Sequence, residues 1–301
     1  MTRSALDATS AFYQAMPGVR LFRFILTATQ RMWPRLAVHA ASRLFLTPLP
    51  TKYLHRGRKW DATWNIEAWP FEAASLTLYS QVAKVSGTNA PLALLVHGWG
   101  GHAGQMLALA DALHAQGFHP VILEMPAHGR SAGMSSNLPQ FTRAIEYVSA
   151  RLRQDGHTVH ALIAHSLGAS ASAYVASRGA AIGRLVLLAP PASPPEYTHL
   201  FAHVFGLSER TRAAMQHRIE AQEALLMPQL EAHAVGPHIR VPTLVIHDRH
   251  DSINRFDDGK AYVQAIAGAT MLATEGLGHR KLLKDAAVMA AVVGFVAWEV
   301  I

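Results

Sequence analysis

The 301-residue chain contains no cysteine, which excludes disulfides, thiolate nucleophiles and cysteine-ligated zinc while leaving the redox compartment open. Charged residues are sparse, at 16%. There are 18 histidines, yet none falls in an H-E-x-x-H pattern, so no dedicated metal site is expected, and no cofactor. No apolar run approaches the roughly 20 residues of a membrane span. The stretch LFRFILTATQRMWPRL is interrupted by Arg23, Arg31 and Arg35, unlike the uninterrupted core of a secretory signal. These absences predict a soluble, cytoplasmic protein.

What is present is apolar bulk: half of the residues are hydrophobic, enough to bury a large core as one α/β domain with insertions or as two smaller domains. The net charge of +7 is unevenly spread. The first 60 residues carry ten Lys/Arg (Arg3, Arg20, Arg23, Arg31, Arg35, Arg43, Lys52, Arg56, Arg58, Lys59) against one acid, Asp7. The basicity therefore belongs to an N-terminal segment. No nucleic-acid recognition motif accompanies it, so no nucleic-acid partner is expected.

From Val19 to Leu46 the pattern is helical. Leu21, Phe22, Ile25, Leu26, Met32, Trp33, Leu36 and Ala40 share one side, with Arg20, Arg23, Arg31 and Arg35 outside that arc. Pro34 should break or kink this helix. One reading is an arm, residues 1–60, that packs on the rest of the chain. The other is a basic amphipathic surface through residues 19–46 that sits peripherally on an anionic membrane.

After Asp61, SLTLYSQV reads as an edge hairpin. Strand and helix patterns then alternate: strand 91–97, helix 102–115, strand 119–124, helix 138–154, strand 158–164, helix 167–178 and strand 184–189. This rhythm predicts an α/β fold with a mostly parallel central sheet and helices on both faces. It stops after Pro190. Residues 191–239 form a helical insert, before a strand at 241–247, a helix at 256–266, a strand at 269–274 and a helix from 281 close the domain. The core is thus expected over 61–190 and 240–301, with a helical lid between them.

The stretch LALLVHGWGGHAG, Leu92 to Gly104, is a buried-strand pattern ending in a glycine-rich turn. Gly98, Gly100 and Ala103 fit G-x-G-x-x-G/A, with Glu124 as the later acid, so a nicotinamide dinucleotide is one reading of this turn. A second turn competes for attention. TVHALIA runs into HSLG and an alanine-rich helix, which puts Ser166 at a strand-to-helix turn. An isolated serine there is a helix cap. A nucleophilic serine needs a histidine and an orienting carboxylate further on. HDRHDSIN supplies Asp251, with Asp248 as a rival, and EGLGH supplies His279; each follows a strand, where parallel sheets place their ligands.

HGWGG at 97–101, PAHGRS at 126–131, AHSLG at 164–168, HDRHD at 247–251 and GLGH at 276–279 together resemble the serine α/β-hydrolase family, especially bacterial esterase or lipase-like members with a helical lid. The resemblance covers about residues 91–299. Ala164 stands where the family pattern G-x-S-x-G has its first glycine, and Glu124 and Ala127 depart from the family loop D-x-x-G-x-G-x-S. The resemblance implies Ser166 as nucleophile, His279 as base and Asp251, selected by the family spacing, as orienter. It implies an oxyanion hole formed by the backbone N–H groups of Trp99 and Leu167. PAHGRS is expected to shape the site floor. In the insert, Phe201, Phe205 and Met227 are expected either to roof an apolar acyl pocket or simply to pack helices.

The expected function is hydrolysis of carboxylic esters with an apolar acyl or alcohol part, a small apolar ester being the partner. A thioesterase or acyltransferase would use the same serine. A catalytically silent membrane-surface module is an alternative of a different class. The dinucleotide reading explains only the first strand-to-helix turn.

Overall fold

In the computed structural model, residues 18–48, 56–81 and 90–297 are described. The chain divides into two compact units, a small one from Met1–Thr47 with Ser193–Glu231 and a large one from Pro48–Ala192 with Ala232–Ile301.

The large unit is built on an eight-stranded sheet: β1 (Trp64–Phe71), β2 (Ala74–Gln81), β3 (Leu92–Val96), β4 (His119–Glu124), β5 (Val159–His165), β6 (Ile182–Leu188), β7 (Thr243–Asp248) and β8 (Thr270–Thr274), in the order β1-β2-β4-β3-β5-β6-β7-β8. β1 and β2 form the antiparallel hairpin and β2 runs antiparallel to β4; every other pairing is parallel. The physical reason is legible in the strands. LALLV of β3 is buried throughout, as a central parallel strand covered on both faces must be, whereas β1 mixes buried and exposed positions.

Helices α3 (Leu107–Ala115) and α11 (Ala286–Ala297) pack together over one side of the sheet. Their Leu109, Leu113, Val288, Val292 and Val296 join Leu95, Ile122, Ile163, Leu188 and Ile246 in one apolar cluster. α4 (Leu138–Gln154) packs on α5 (Leu167–Ser177), which lies against β5 and β6. α5 is alanine- and serine-rich and almost wholly buried, so small residues all round are what let it lie close to the strands. A 3₁₀ turn at Ala103–Gln105 precedes α3, so the regular helix starts at Leu107 rather than at 102. After the short α8 (Ala232–Val235), the second half of the chain adds α9 (Phe256–Ala265) and α10 (Gly278–Lys281).

In the small unit, α1 (Val19–Met32) and α2 (Pro34–Phe45) meet α6 (Pro194–Phe205) and α7 (Glu209–Glu223). Pro34 occupies the first turn of α2, where its missing N–H costs nothing, and so separates the two N-terminal helices as expected. Leu26 and Ala41 bury themselves with Met215, Ile219 and Met227. Much of the apolar arc does not: Leu21, Ile25, Met32 and Leu36 are exposed. Among the described residues no helix is long and apolar enough to cross a membrane.

Candidate active site

β5 carries the chain to Ser166, whose backbone turns to φ 54° and ψ −126° at the start of α5. A non-glycine residue held there stores of order 1–3 kcal/mol of strain, which the surrounding structure must offset. The Ser166 N–H donates to the Leu188 carbonyl at 2.8 Å, and its own carbonyl accepts from Ala169 N–H at 2.8 Å. Two glycines make room beside it. A Cβ on Gly98 would stand 2.7 Å from Ser166 Cβ, and one on Gly168 would run into the His97 carbonyl oxygen. The fully buried Ala164 shows that the neighbouring strand position accepts a methyl.

Although Ser166 sits at the N-cap of α5, its side chain makes no capping bond. Its Oγ lies 3.1 Å from His279 Nε2 instead. On the other side of that ring, Nδ1 is 2.7 Å from Asp251 Oδ2; a carboxylate only accepts, so Nδ1 carries the proton and Nε2 faces the serine as an acceptor. Three side chains from distant stretches of chain are thus brought into one hydrogen-bonded line. His279 falls in the single turn of helix α10, just after Gly276 and Gly278 with φ of 81° and 62°.

Asp251 is held at both oxygens. Oδ1 accepts from the N–H groups of Ile253 (2.8 Å) and Asn254 (3.0 Å), and His247 Nε2 lies 3.4 Å from Oδ2. Burial by itself would push this carboxyl up, but the hydrogen bonds from His247, His279 and the loop amides hold it well below the usual carboxylate range, so it stays ionised. Asp248 does something else. Its oxygens accept from His250 N–H at 2.9 Å, Thr274 Oγ1 at 2.8 Å and Leu277 N–H at 3.0 Å, fastening the end of β8 and the approach to α10.

Three further residues at this site escape the motif reading. Asn254 Nδ2 donates to the Ala189 carbonyl at 2.7 Å and reaches to 3.4 Å from Ser166 Oγ, while the Asn254 backbone carbonyl lies 3.1 Å from His247 Nε2. It ties the aspartate loop to the serine turn. His165 lies under His279, ring centroids 4.6 Å apart, with Nε2 at 2.9 Å from the His279 carbonyl. His247 is the third. Only their adjacency to Ser166 and Asp251 in the sequence signals them.

The glycine-rich loop after β3 is fixed by two buried histidines used in the same way. His97 Nδ1 donates to the Gly98 carbonyl at 2.8 Å and its Nε2 accepts from Met125 N–H at 3.1 Å; His128 Nδ1 donates to the Pro126 carbonyl at 2.8 Å and its Nε2 accepts from Gly100 N–H at 3.0 Å. Glu124 adds a third tie. Its Oε1 accepts from Ala103 N–H at 3.0 Å, and its Oε2 accepts from Arg130 N–H at 2.7 Å and from the Tyr79 hydroxyl at 2.7 Å. An acid so engaged joins two loops and is not presented to a ribose. Among the described residues no group of three or more His, Asp or Glu side chains is arranged to hold a metal.

The two turns run past the amides of Trp99 and Leu167: Gly101 N–H bonds to Gly98 and Ala169 N–H to Ser166. Neither of those two amides meets a protein acceptor among the described residues. Trp99's ring rests on His128 and Phe141, at centroid distances of 5.4 and 6.4 Å. Phe201, Phe205 and Met227 lie in the small unit, in the apolar cluster with Leu26 and Ala41, where Phe201 meets Phe45 edge-on at 5.2 Å.

Burial gives the histidines at this site a measurable consequence. His97 is held well below its ordinary range by burial and then by the neighbouring His128, and burial with His279 alongside pushes His165 down to about 3. The unfolded chain takes up protons at these rings near pH 6.5, while the folded chain does not. Stability should therefore fall as pH drops from about 6.5 toward 3, by about 1.4 kcal/mol per pH unit for the His165 ring, with His97 acting in the same direction. Below about pH 4 the depressed Asp251 carboxyl acts in the same direction. Urea midpoints measured across this range should show that slope, and His165→Gln should make it shallower; a flat profile between pH 7 and 4 would refute the assignment.

Residues 88–226 match the family model described as "Serine aminopeptidase, S33". No curated protein matches the chain. Among solved structures it is similar to Est1E from Butyrivibrio proteoclasticus with bound ferulic acid (18% identity, TM-score 0.61, 76% of this chain and 96% of that one). It is similar to a membrane phospholipase A described as a bacterial virulence factor (16%, 0.59, 91% and 97%). A third is the thioesterase domain of the curacin biosynthetic pathway (19%, 0.54, 77% and 99%). At these identities the solved structures speak for the fold alone. Taken with the mostly parallel eight-stranded sheet, they show that the chain has the α/β-hydrolase fold, and the family match spans the Ser166 turn.

Proposed function

We propose that this protein hydrolyses carboxylic esters with an apolar acyl or alcohol part, through an acyl-enzyme on Ser166. The observation that carries the reading is the Asp251–His279–Ser166 line, 2.7 Å and 3.1 Å long, ending on a serine in a strained backbone conformation. His279 Nε2 takes the hydroxyl proton as Oγ attacks the acyl carbonyl, then returns it to the leaving alcohol. Asp251 holds the ring's tautomer and stabilises its cation. The Trp99 and Leu167 amides receive the oxyanion, and water repeats the cycle to release the acid.

Losing one oxyanion donor typically costs about 100- to 1,000-fold in rate. Because the donor at Trp99 is the backbone, Trp99→Ala should lower kcat by less than about tenfold, the loss reflecting the ring's packing on His128 and Phe141. A Trp99→Ala loss as large as that of Ser166→Ala, in a variant that melts normally, would contradict the role given to this amide.

Similarity to a thioesterase domain supports a second reading on the same serine, and the family model's description brings in aminoacyl amides. The deciding experiment is a panel of p-nitrophenyl esters of graded acyl length, acyl thioesters and aminoacyl amides, run beside fluorophosphonate labelling of the folded protein. Ester turnover that rises with acyl apolarity, together with labelling that Ser166→Ala abolishes, is the expected result. Turnover of thioesters alone would move the reading to the thioesterase. A folded wild type that takes no label and turns over nothing would favour a silent scaffold.

A further inference from the structure

The first two helices turn the usual amphipathic logic around. Nine large apolar side chains are exposed among the described residues, and seven of them fall between Leu21 and Leu36. On α1, at 100° per residue, Leu21, Phe24, Ile25 and Met32 lie within one arc of about 100°. Trp33 and Leu36 continue the apolar run across the break at Pro34. These are not marginal exposures: Phe24 stands 73% open, Met32 65%, Leu21 61% and Trp33 57%.

The opposite face of α1, which packs within the small unit, is where polar side chains are used. Arg23 Nη1 donates to the carbonyls of His203 (3.0 Å) and Val204 (2.9 Å) at the end of α6. Gln30 Nε2 donates to the Gly206 carbonyl at 2.9 Å, and its Oε1 accepts from Ser208 N–H at 2.8 Å. Val19 and Leu26 fill the space between them. Internal bonding therefore fixes which way the helix faces, and that orientation turns the apolar arc outward. An outward apolar arc of this size on a folded unit marks a surface that another apolar phase covers.

Charge decides which phase. Between Gly18 and Pro48 there are five arginines (Arg20, Arg23, Arg31, Arg35 and Arg43) and no acidic residue. Two copies of such a face would bring like charges together, whereas an anionic bilayer supplies both an apolar interior and the opposite charge. Trp33 suits the boundary between headgroups and acyl chains. We infer that the outward face of α1 and the start of α2, carrying Leu21, Phe24, Ile25, Met32 and Trp33 with Arg20, Arg31 and Arg35 at its border, is a peripheral docking surface for an anionic lipid bilayer. This inference does not depend on the reaction at Ser166.

The test is flotation of the full chain with vesicles of phosphatidylcholine alone and of phosphatidylcholine mixed with phosphatidylglycerol, at low and at high salt. The wild type should partition at least tenfold more strongly onto the anionic vesicles, and salt should erase most of the difference. Phe24→Ser with Trp33→Ser should reduce partitioning at least tenfold, since the two rings would no longer leave water. Arg20→Gln, Arg31→Gln and Arg35→Gln together should remove the preference for anionic lipid, at roughly fivefold per arginine. Because these positions are exposed, melting temperature and hydrolysis of a water-soluble ester should stay unchanged in both variants, which separates this result from failure of the ester reading. Partitioning indifferent to lipid charge, or unaffected by both sets of substitutions, would overturn the proposal. So would a dimer in gel filtration that the Phe24/Trp33 variant converts to a monomer while neither protein floats.

Discussion

Ser166→Ala is expected to lower kcat/KM on the best ester of the panel by roughly ten-thousand- to million-fold and to abolish fluorophosphonate labelling, with the melting curve nearly unchanged. The size of the loss follows from the proposed chemistry: no other hydroxyl stands at 3.1 Å from His279 Nε2 among the described residues. The alanine keeps the φ 54° backbone and its strain. Ser166→Gly should be equally inactive but more stable by about 1 kcal/mol, because glycine populates this region without a Cβ penalty. That pairing of lost activity with gained stability distinguishes a residue held in a costly conformation for function from one that caps a helix. A Ser166→Ala protein that still turns over esters within tenfold of the wild type would dismiss the acyl-enzyme.

Asp251→Asn is expected to cost about ten-thousand-fold in kcat, because an amide at Oδ2 can donate to Nδ1 and so favours the tautomer whose Nε2 carries a proton toward the serine. Asp248→Asn makes the informative comparison. It removes a carboxylate that accepts from His250 N–H, the Thr274 hydroxyl and Leu277 N–H, so it should destabilise the protein by about 1–3 kcal/mol while leaving kcat within about tenfold. If the two variants exchanged these behaviours, with Asp248→Asn inactive and Asp251→Asn merely unstable, the roles given to the two acids would be reversed. The depressed carboxyl of Asp251 also means that loss of activity on mild acidification will not come from its protonation.

Much of this site was legible in the sequence because its chemistry needs particular residue types at element boundaries. A glycine-rich turn after an apolar strand, a serine between a strand and a small-residue helix, and an acid and a histidine after later strands are local patterns. Local patterns survive being read one segment at a time. What surrounds them was not legible. His165, His247 and Asn254 owe their places to contacts across the sheet edge, and a histidine in a sequence with 18 of them carries no mark of which ring it will lie against. Glu124 shows the same limit from the other side. By spacing it fits a ribose-binding acid, and only its bonds to Ala103, Arg130 and Tyr79 reveal that its oxygens are already engaged.

The N-terminal helices make the division sharper. Periodicity established that residues 19–46 are helical and interrupted at Pro34, and composition established that they are basic; neither could say which part of the apolar arc meets protein. That was decided when Arg23 and Gln30 found the carbonyls at the end of α6, over 170 residues away in the chain, and turned Phe24 and Met32 outward. Alternation of strand and helix, the turns and the residue types at their ends follow from the amino-acid order because backbone geometry and burial act over a few neighbouring residues. Which donor meets which acceptor, and so which carboxylate lies within 2.7 Å of His279 Nδ1 and which face of α1 remains open, is decided by packing, because hydrogen-bond distance and burial belong to pairs that the chain order keeps far apart.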